Sequence, residues 1–182
     1  MPALYVIRHA EPAVQGVLLG QFDPPLSAEG RKQAANLQID PCIVYSSPLR
    51  RALETATAFC DHPVVLPELT EISYGVWNGL PWSEIESKWP RLTSRKLLSW
   101  HEITPPEGEP WEAFQTRILR ALERVCSGIL PAAIVAHEAV NAIIANQLAG
   151  ICATTYRQAY CEIKTYDIPS NLQFSGESTA KT

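Results

Sequence analysis

The chain has 182 residues, room for one domain with its own core and short for two. Hydrophobic residues make up 46% and charged residues 19%, the balance of a globular protein, and the net charge of −4 speaks against a nucleic-acid binder, which carries a basic footprint. No basic start followed by a long apolar stretch marks a signal peptide, and the most apolar region, 128–150, is broken by Pro131, His137, Glu138, Asn141 and Asn146. A soluble, cytoplasmic protein with no membrane partner is expected.

In chain order, residues 3–7, ALYVI, form a continuous apolar run, the pattern of a strand buried on both faces. The run stops at Arg8 and His9. A loop with Gly16, Gly20 and the DPP of 23–25 leads to a helix expected over 28–38, capped by Ser27 with Glu29 in its first turn. Pro41 punctuates, and 42–45, CIVY, is a second strand. Ser47 suits an N-cap and Pro48 the first helical position, so a helix is expected from there to about Cys60. Residues 64–66 read as a third strand. The proline-rich stretch 67–110 reads as irregular, with short helices around 82–88 and 91–99.

Residues 111–126 place Trp111, Phe114, Ile118, Leu122 and Val125 on one face of an amphipathic helix. Residues 132–136, AAIVA, are a fourth buried strand ending on His137. A helix over 139–149, closed by Gly150, follows. Residues 159–168 alternate like a half-exposed edge strand, and the tail from Pro169 is polar and loose. This alternation predicts an α/β domain over 1–168, a three-layer α/β/α sandwich with a mostly parallel central sheet, and a polar tail over 169–182. Cys42, Cys60, Cys126, Cys152 and Cys161 are odd in number and include no Cys-x-x-Cys pair, so reduced, mostly buried thiols are expected and no metal site.

Open α/β sheets bind ligands outside the carboxyl ends of their strands. Arg8, His9 and His137 all lie just past such ends. If the two strands are neighbours, the histidines meet. The helix expected after Ser47 adds free N–H groups, a positive dipole end and Arg50 and Arg51. Two imidazoles, arginines and a helix terminus make a site for a dianion, phosphate above all. Each residue alone has an ordinary reading as a structural histidine or a solvated arginine. A cation in a helix's first turns runs against the dipole unless an anion is present, which favours a ligand there.

With these residues in place, the chain resembles the histidine phosphatase superfamily, the phosphoglycerate mutase-like family. LYVIRHAEP (4–12) is similar to its Arg-His-Gly motif, with Ala10 for Gly. GQFDPPLSAEGRKQA (20–34), YSSPLRRALETA (45–56) and LTEISYGVWNG (69–79) resemble its next three motifs. PPEGEPWEAFQTR (105–117), with Pro110 where Ser is usual, and IVAHEAVNAII (134–144), with Glu138 where Gly is commonest, resemble the last two. The resemblance covers about residues 3–168. It implies a phosphoglycerate mutase-like fold and a phosphohistidine mechanism. His9 would be the nucleophile, and Arg8, Arg51 and His137 would hold the transferring phosphoryl group. Glu71 would be the proton donor to the leaving alcohol and then the base toward water. The motif selects Arg51 over Arg50, and Gln15 and Gly20 would add phosphate contacts.

The implied activity is a metal-independent phosphomonoesterase, a phosphoric monoester hydrolase of the histidine acid type. It would act on a small phosphorylated metabolite and need no cofactor. Rival readings are a phosphoglycerate mutase-type phosphotransferase and a non-catalytic phospholigand-binding domain on the same fold. The loop GVLL (16–19) lacks the polar and basic residues with which mutases grip a sugar acid. Trp77, Trp82, Trp100 and Trp111 read either as walls of a lid and pocket or as core.

Overall fold

A computed structural model of the chain describes residues 2–169; Met1 and residues 170–182, which include nearly all of the expected polar tail, lie outside the described residues. The central sheet has five strands: β1 (Ala3–Arg8), β3 (Ile43–Ser46), β4 (Val64–Val65), β6 (Ala132–Ala136) and β7 (Ile163–Asp167), in the order β4-β3-β6-β1-β7. Three of the four pairings are parallel, and β7 runs antiparallel to β1 at one edge. All five residues of β6 are buried, as a strand covered on both faces requires, whereas β7 is half-exposed. A two-stranded ribbon, β2 (Val17–Leu18) with β5 (Leu80–Pro81), lies outside this sheet.

Helices cover both faces, giving the three expected layers. On one face Leu4, Val6, Ala132, Ile134 and Ala136 pack with α5 (Trp111–Cys126) and α6 (Glu138–Ala149). On the other, Ile7, Val44, Ala133 and Val135 pack with Ala52 and Ala56 of α2 (Arg50–Thr57), and α1 (Ala28–Ala35) packs beside α2. The period-two pleat sends alternate residues of β1 and β6 to opposite layers. α3 (Trp82–Lys88) and α4 (Pro90–Leu98) form a short helical pair before α5. Among the described residues no helix is long and apolar enough to cross a membrane.

Local signals account for most boundaries. Ser27 caps α1, its hydroxyl accepting from the Gly30 N–H at 2.8 Å, but the helix ends at Ala35, short of 38. α6 ends on Gly150 in the left-handed region, φ 66°, where a residue without Cβ carries no penalty. α2 departs from expectation. Its N-cap is Leu49 rather than Ser47, it starts two residues later, and it stops at Thr57 rather than near Cys60. The Arg50 N–H at its start donates to Asp23 Oδ1 at 2.7 Å, so this helix end is satisfied by a carboxylate of the chain itself. The edge strand contracts from 159–168 to 163–167, because Cys161 takes φ 56° and Glu162 closes a turn onto Ala159. The cysteines are free but not mostly buried: Cys42 and Cys152 are exposed and Cys60, Cys126 and Cys161 half-buried.

Candidate active site

The register of two strands creates the site. β1 and β6 run parallel with Arg8 opposite Ala136, so the residues that follow, His9 and His137, emerge side by side at the carboxyl rim. The His9 N–H donates to Ala136 O at 2.9 Å, and the two rings lie 5.1 Å apart, centre to centre. Both are buried, His9 at 3% exposure and His137 at 0%.

The tautomer of His9 follows from its partners. Nδ1 lies 2.7 Å from the carbonyl of Ala10, which can only accept, so Nδ1 carries the proton. Nε2 keeps its lone pair and accepts from Arg51 Nε at 3.3 Å. Burial first, then the guanidiniums of Arg51 and Arg8, lower the His9 pKa to about 3, against the hydrogen bond to Ala10. Burial and the same cations, together with His9, push His137 well below the ordinary histidine range. Both imidazoles are therefore neutral at neutral pH.

Arg51 is buried to 1% exposure and fixed by carbonyls: Nη1 donates to Phe22 O and Nη2 to Gly20 O, each at 2.8 Å, with Asp23 3.8 Å away. Arg50 is exposed beside it, so the one-residue offset separates the pair as the 100° helical step demands. Gly20 has φ 49°, and a Cβ there would fall 2.1 Å from Asn78 Oδ1 and 2.8 Å from Tyr74. Gly20 thus meets the cluster through its backbone, as a support for Arg51. Arg8 Nη1 donates to Gln158 O at 2.6 Å, lies 3.4 Å from Glu138 Oε2, and the guanidinium sits 4.4 Å over the Tyr160 ring. Arg8 Nε and His137 Nδ1 are buried without a protein partner. Glu138 turns toward Arg8 rather than away.

Glu71 sits where α6 begins. Its Oε1 accepts from the Ile72 N–H at 2.9 Å, and the Ala139 N–H also points to it. Burial raises its pKa, opposed by these N–H groups, by Arg51 and by Arg8. It opens into a pocket of about 460 Å³ that Tyr74, Trp100, His101, Trp111 and Glu138 also line. The tryptophans divide: Trp100 and Trp111 face the pocket, Trp77 is fully buried, and Trp82 lies edge-on to Trp77 and tilted against Trp100. Gln15 is exposed in the loop before β2 and makes no hydrogen bond or ion pair among the described residues.

Four supports escaped sequence reasoning. Ser47, expected as a cap, instead meets His137 Nε2 at 2.8 Å. Thr55 accepts from the Ala10 N–H at 2.9 Å and so ties the turn after His9 to α2. Gln158 is buried and donates to Val6 O and Glu162 O. Arg117 of α5 grips Glu109 through two nitrogens at 2.7 and 2.8 Å and donates to the carbonyls of Glu68, Thr70 and Glu71, which holds the backbone that carries Glu71. Glu109 and Arg117 lie eight apart, a signal visible only once α5 is known to start between them.

The site's buried arginines and neutral imidazoles suit an oxyanion, and among the described residues no group of three His, Cys, Asp or Glu side chains is placed to hold a metal ion. Comparison with known proteins agrees in kind. The profile of the histidine phosphatase superfamily (branch 1) matches residues 4–171. The chain is 32% identical over 136 residues to a metal-independent phosphoserine phosphatase of Arabidopsis thaliana, covering 67% of this chain and 57% of that protein. It is 29% identical over 166 residues to the adenosylcobalamin/alpha-ribazole phosphatase of Escherichia coli, covering 82% and 80%. The first of these relatives is thus matched over little more than half its length. Among solved structures, the alpha-ribazole phosphatase from Shigella flexneri superposes with a TM-score of 0.83 at 27% identity, over 92% of this chain and 91% of that one.

Proposed function

The chain belongs to the histidine phosphatase superfamily, and from that premise we propose that it is a phosphomonoesterase acting on a small organic phosphate through phospho-His9. The observation that carries the reading is the Nε2 lone pair of His9, freed by the Nδ1–H bond to Ala10 and enclosed by Arg51, Arg8 and His137. A neutral, oriented imidazole among cations suits attack on a phosphate dianion. Nε2 attacks phosphorus while the ester oxygen leaves and takes a proton from Glu71. Arg8 and Arg51 neutralise the phosphoryl oxygens, neutral His137 donates to one of them through Nδ1, which has no protein partner, and a phosphate would compete with Glu138 for Arg8. Water, deprotonated by Glu71, then attacks phospho-His9, the N–P bond breaks and inorganic phosphate leaves.

Gly20 enters this proposal by holding Arg51. Gln15 enters it on family resemblance alone. The domain is taken as residues 1–168. A cytoplasmic location accords with five free thiols. The histidine acid-type label finds no support in a match to branch 1. Relatives named as phosphoserine and alpha-ribazole phosphatases favour a hydrolase of small phosphorylated substrates over a non-catalytic binder.

The test is chemical. After a quench with labelled substrate, label should remain on the protein in base and be lost in acid, as a phosphoramidate is. His9→Ala should abolish both label and turnover. Substantial turnover by that variant would refute the nucleophile.

A further inference from the structure

Lys96 is a charged group that this mechanism leaves unused. It lies in the last turn of α4 and is 3% exposed. Its ammonium donates to the carbonyls of Trp100 and Ile103, the latter at 2.6 Å. It sits 4.8 Å from the Trp100 ring centre and 5.9 Å from that of Tyr74. Among the described residues it has no carboxylate partner. Burial alone lowers its pKa to about 8, so it stays mostly protonated at neutral pH. A buried cation without a counter-ion is costly to keep, and carbonyl dipoles and aromatic faces compensate it only where they are held in place.

What it holds is a stretch without regular structure. Residues 99–104 connect α4 to the Pro105–Glu109 turn, and both Trp100 and His101 reach the pocket beside Glu71 from this stretch. His101 stacks on Trp111 with centroids 3.6 Å apart and planes 10° apart, while Trp100 meets Tyr74 edge-on at 6.2 Å. Two aromatic pairs therefore line a pocket that opens at the proposed proton donor. The pocket's 460 Å³ falls in the range of sites that enclose a ligand of many atoms, well above the needs of a two-carbon alcohol.

We infer that Lys96 is a positioning residue for the substrate's leaving group: by pinning the 100–103 turn it sets Trp100 as the wall against which a flat, ring-bearing alcohol lies while its phosphate occupies the His9 cluster. The inference rests on the phosphatase reading. It adds a selectivity device for ring-bearing phosphomonoesters, which acts on binding rather than on the chemical step.

Benzyl phosphate and ethyl phosphate test it, because both release a primary alcohol and differ in the ring. Lys96→Met keeps the stem and removes all donors. It should raise KM for benzyl phosphate about 10-fold, equal to about 1.4 kcal/mol of binding, and leave KM for ethyl phosphate and both kcat values within about 2-fold. Trp100→Ala should shift the same ratio, and the double variant should lose little more than either single one, since the two act as a unit. If Lys96→Met does not fold, Lys96→Leu, which also removes every donor, carries the comparison. A benzyl-to-ethyl ratio unchanged in a folded Lys96 variant overturns the inference, as does an equal fall of kcat for both esters. Failure of the wild-type protein to release phosphate from either ester in a His9-dependent way would instead remove the phosphatase reading on which it stands.

Discussion

In the proposed mechanism Glu71 must carry its proton when the alcohol departs, and its surroundings favour that state: burial raises its pKa against the pull of two N–H groups and two arginines. His9 must be neutral, and burial with Arg51 beside it keeps it so down to a pH of about 3. The sign of the pH dependence follows. The nucleophile is not protonated until strongly acidic pH, whereas the acid form of Glu71 is depleted as pH rises through a pKa above the usual carboxyl value. For an alkyl phosphate, kcat/KM should therefore decline toward alkaline pH. Glu71→Gln should lower turnover of that ester by about 10²-fold or more and flatten the alkaline decline. An aryl phosphate with a good leaving group should lose less in a rapid-quench burst. Equal burst losses for both esters would count against Glu71 as the acid. At the same scale, Arg8 is shared between Glu138, Gln158 and Tyr160, whereas Arg51 is fixed by Gly20 and Phe22.

Elements meet the site through turns that tolerate no added atom. The Ser73–Gly79 turn abuts the Pro105–Glu109 turn: Val76 N–H donates to Pro106 O at 3.1 Å and Glu109 N–H to Ser73 O at 2.8 Å. Gly75 sits at the contact with φ 56°, and a Cβ would lie 2.0 Å from Pro106 O and 2.4 Å from the Glu107 carbonyl carbon. Gly16 has φ 74° with nothing within 4 Å of a Cβ, so it isolates the backbone contribution. Gly16→Ala should cost about 1 kcal/mol, the left-handed penalty alone. Gly75→Ala should cost about 3 kcal/mol, because two backbone segments must separate as well. Urea midpoints at constant slope measure both. Equal costs would mean that the two turns yield easily. The stretches LTEISYGVWNG (69–79) and PPEGEPWEAFQTR (105–117), each similar to a family motif, thus have a shared physical meaning. They are two halves of one contact, which Arg117 extends to the backbone of Glu71.

For the whole molecule, the proposed activity sets hydrolysis against return transfer. A mutase must shield its phosphohistidine from water and grip a sugar acid. Here β2 presents Val17 and Leu18 to β5, and a single arginine, Arg157, lines the pocket, with no Lys or Arg from α3 or α4: Lys88 pairs with Glu84 and Lys96 is buried. Net release of inorganic phosphate should therefore outrun exchange between 3-phosphoglycerate and 2-phosphoglycerate, followed together by phosphorus NMR with and without a bisphosphoglycerate primer. Exchange faster than release would favour the mutase. The sheet, the layers and most helices were legible because their signals are local. The apolar runs of β1 and β6, the Ser27 cap, Gly150 and the stripe on α5 each record a conformation within a few residues of chain. By itself the sequence determined an α/β fold with two histidines at strand ends. The tertiary structure decided everything that joins distant residues. It set the β1–β6 register that brings His9 to His137, and diverted Ser47 from capping to His137, 90 positions away. It also gave Arg117 to the Glu71 backbone and buried Lys96 under Trp100. Such polar pairs leave no periodic trace, because their partners are chosen by which surfaces pack together, and packing is a property of the folded chain.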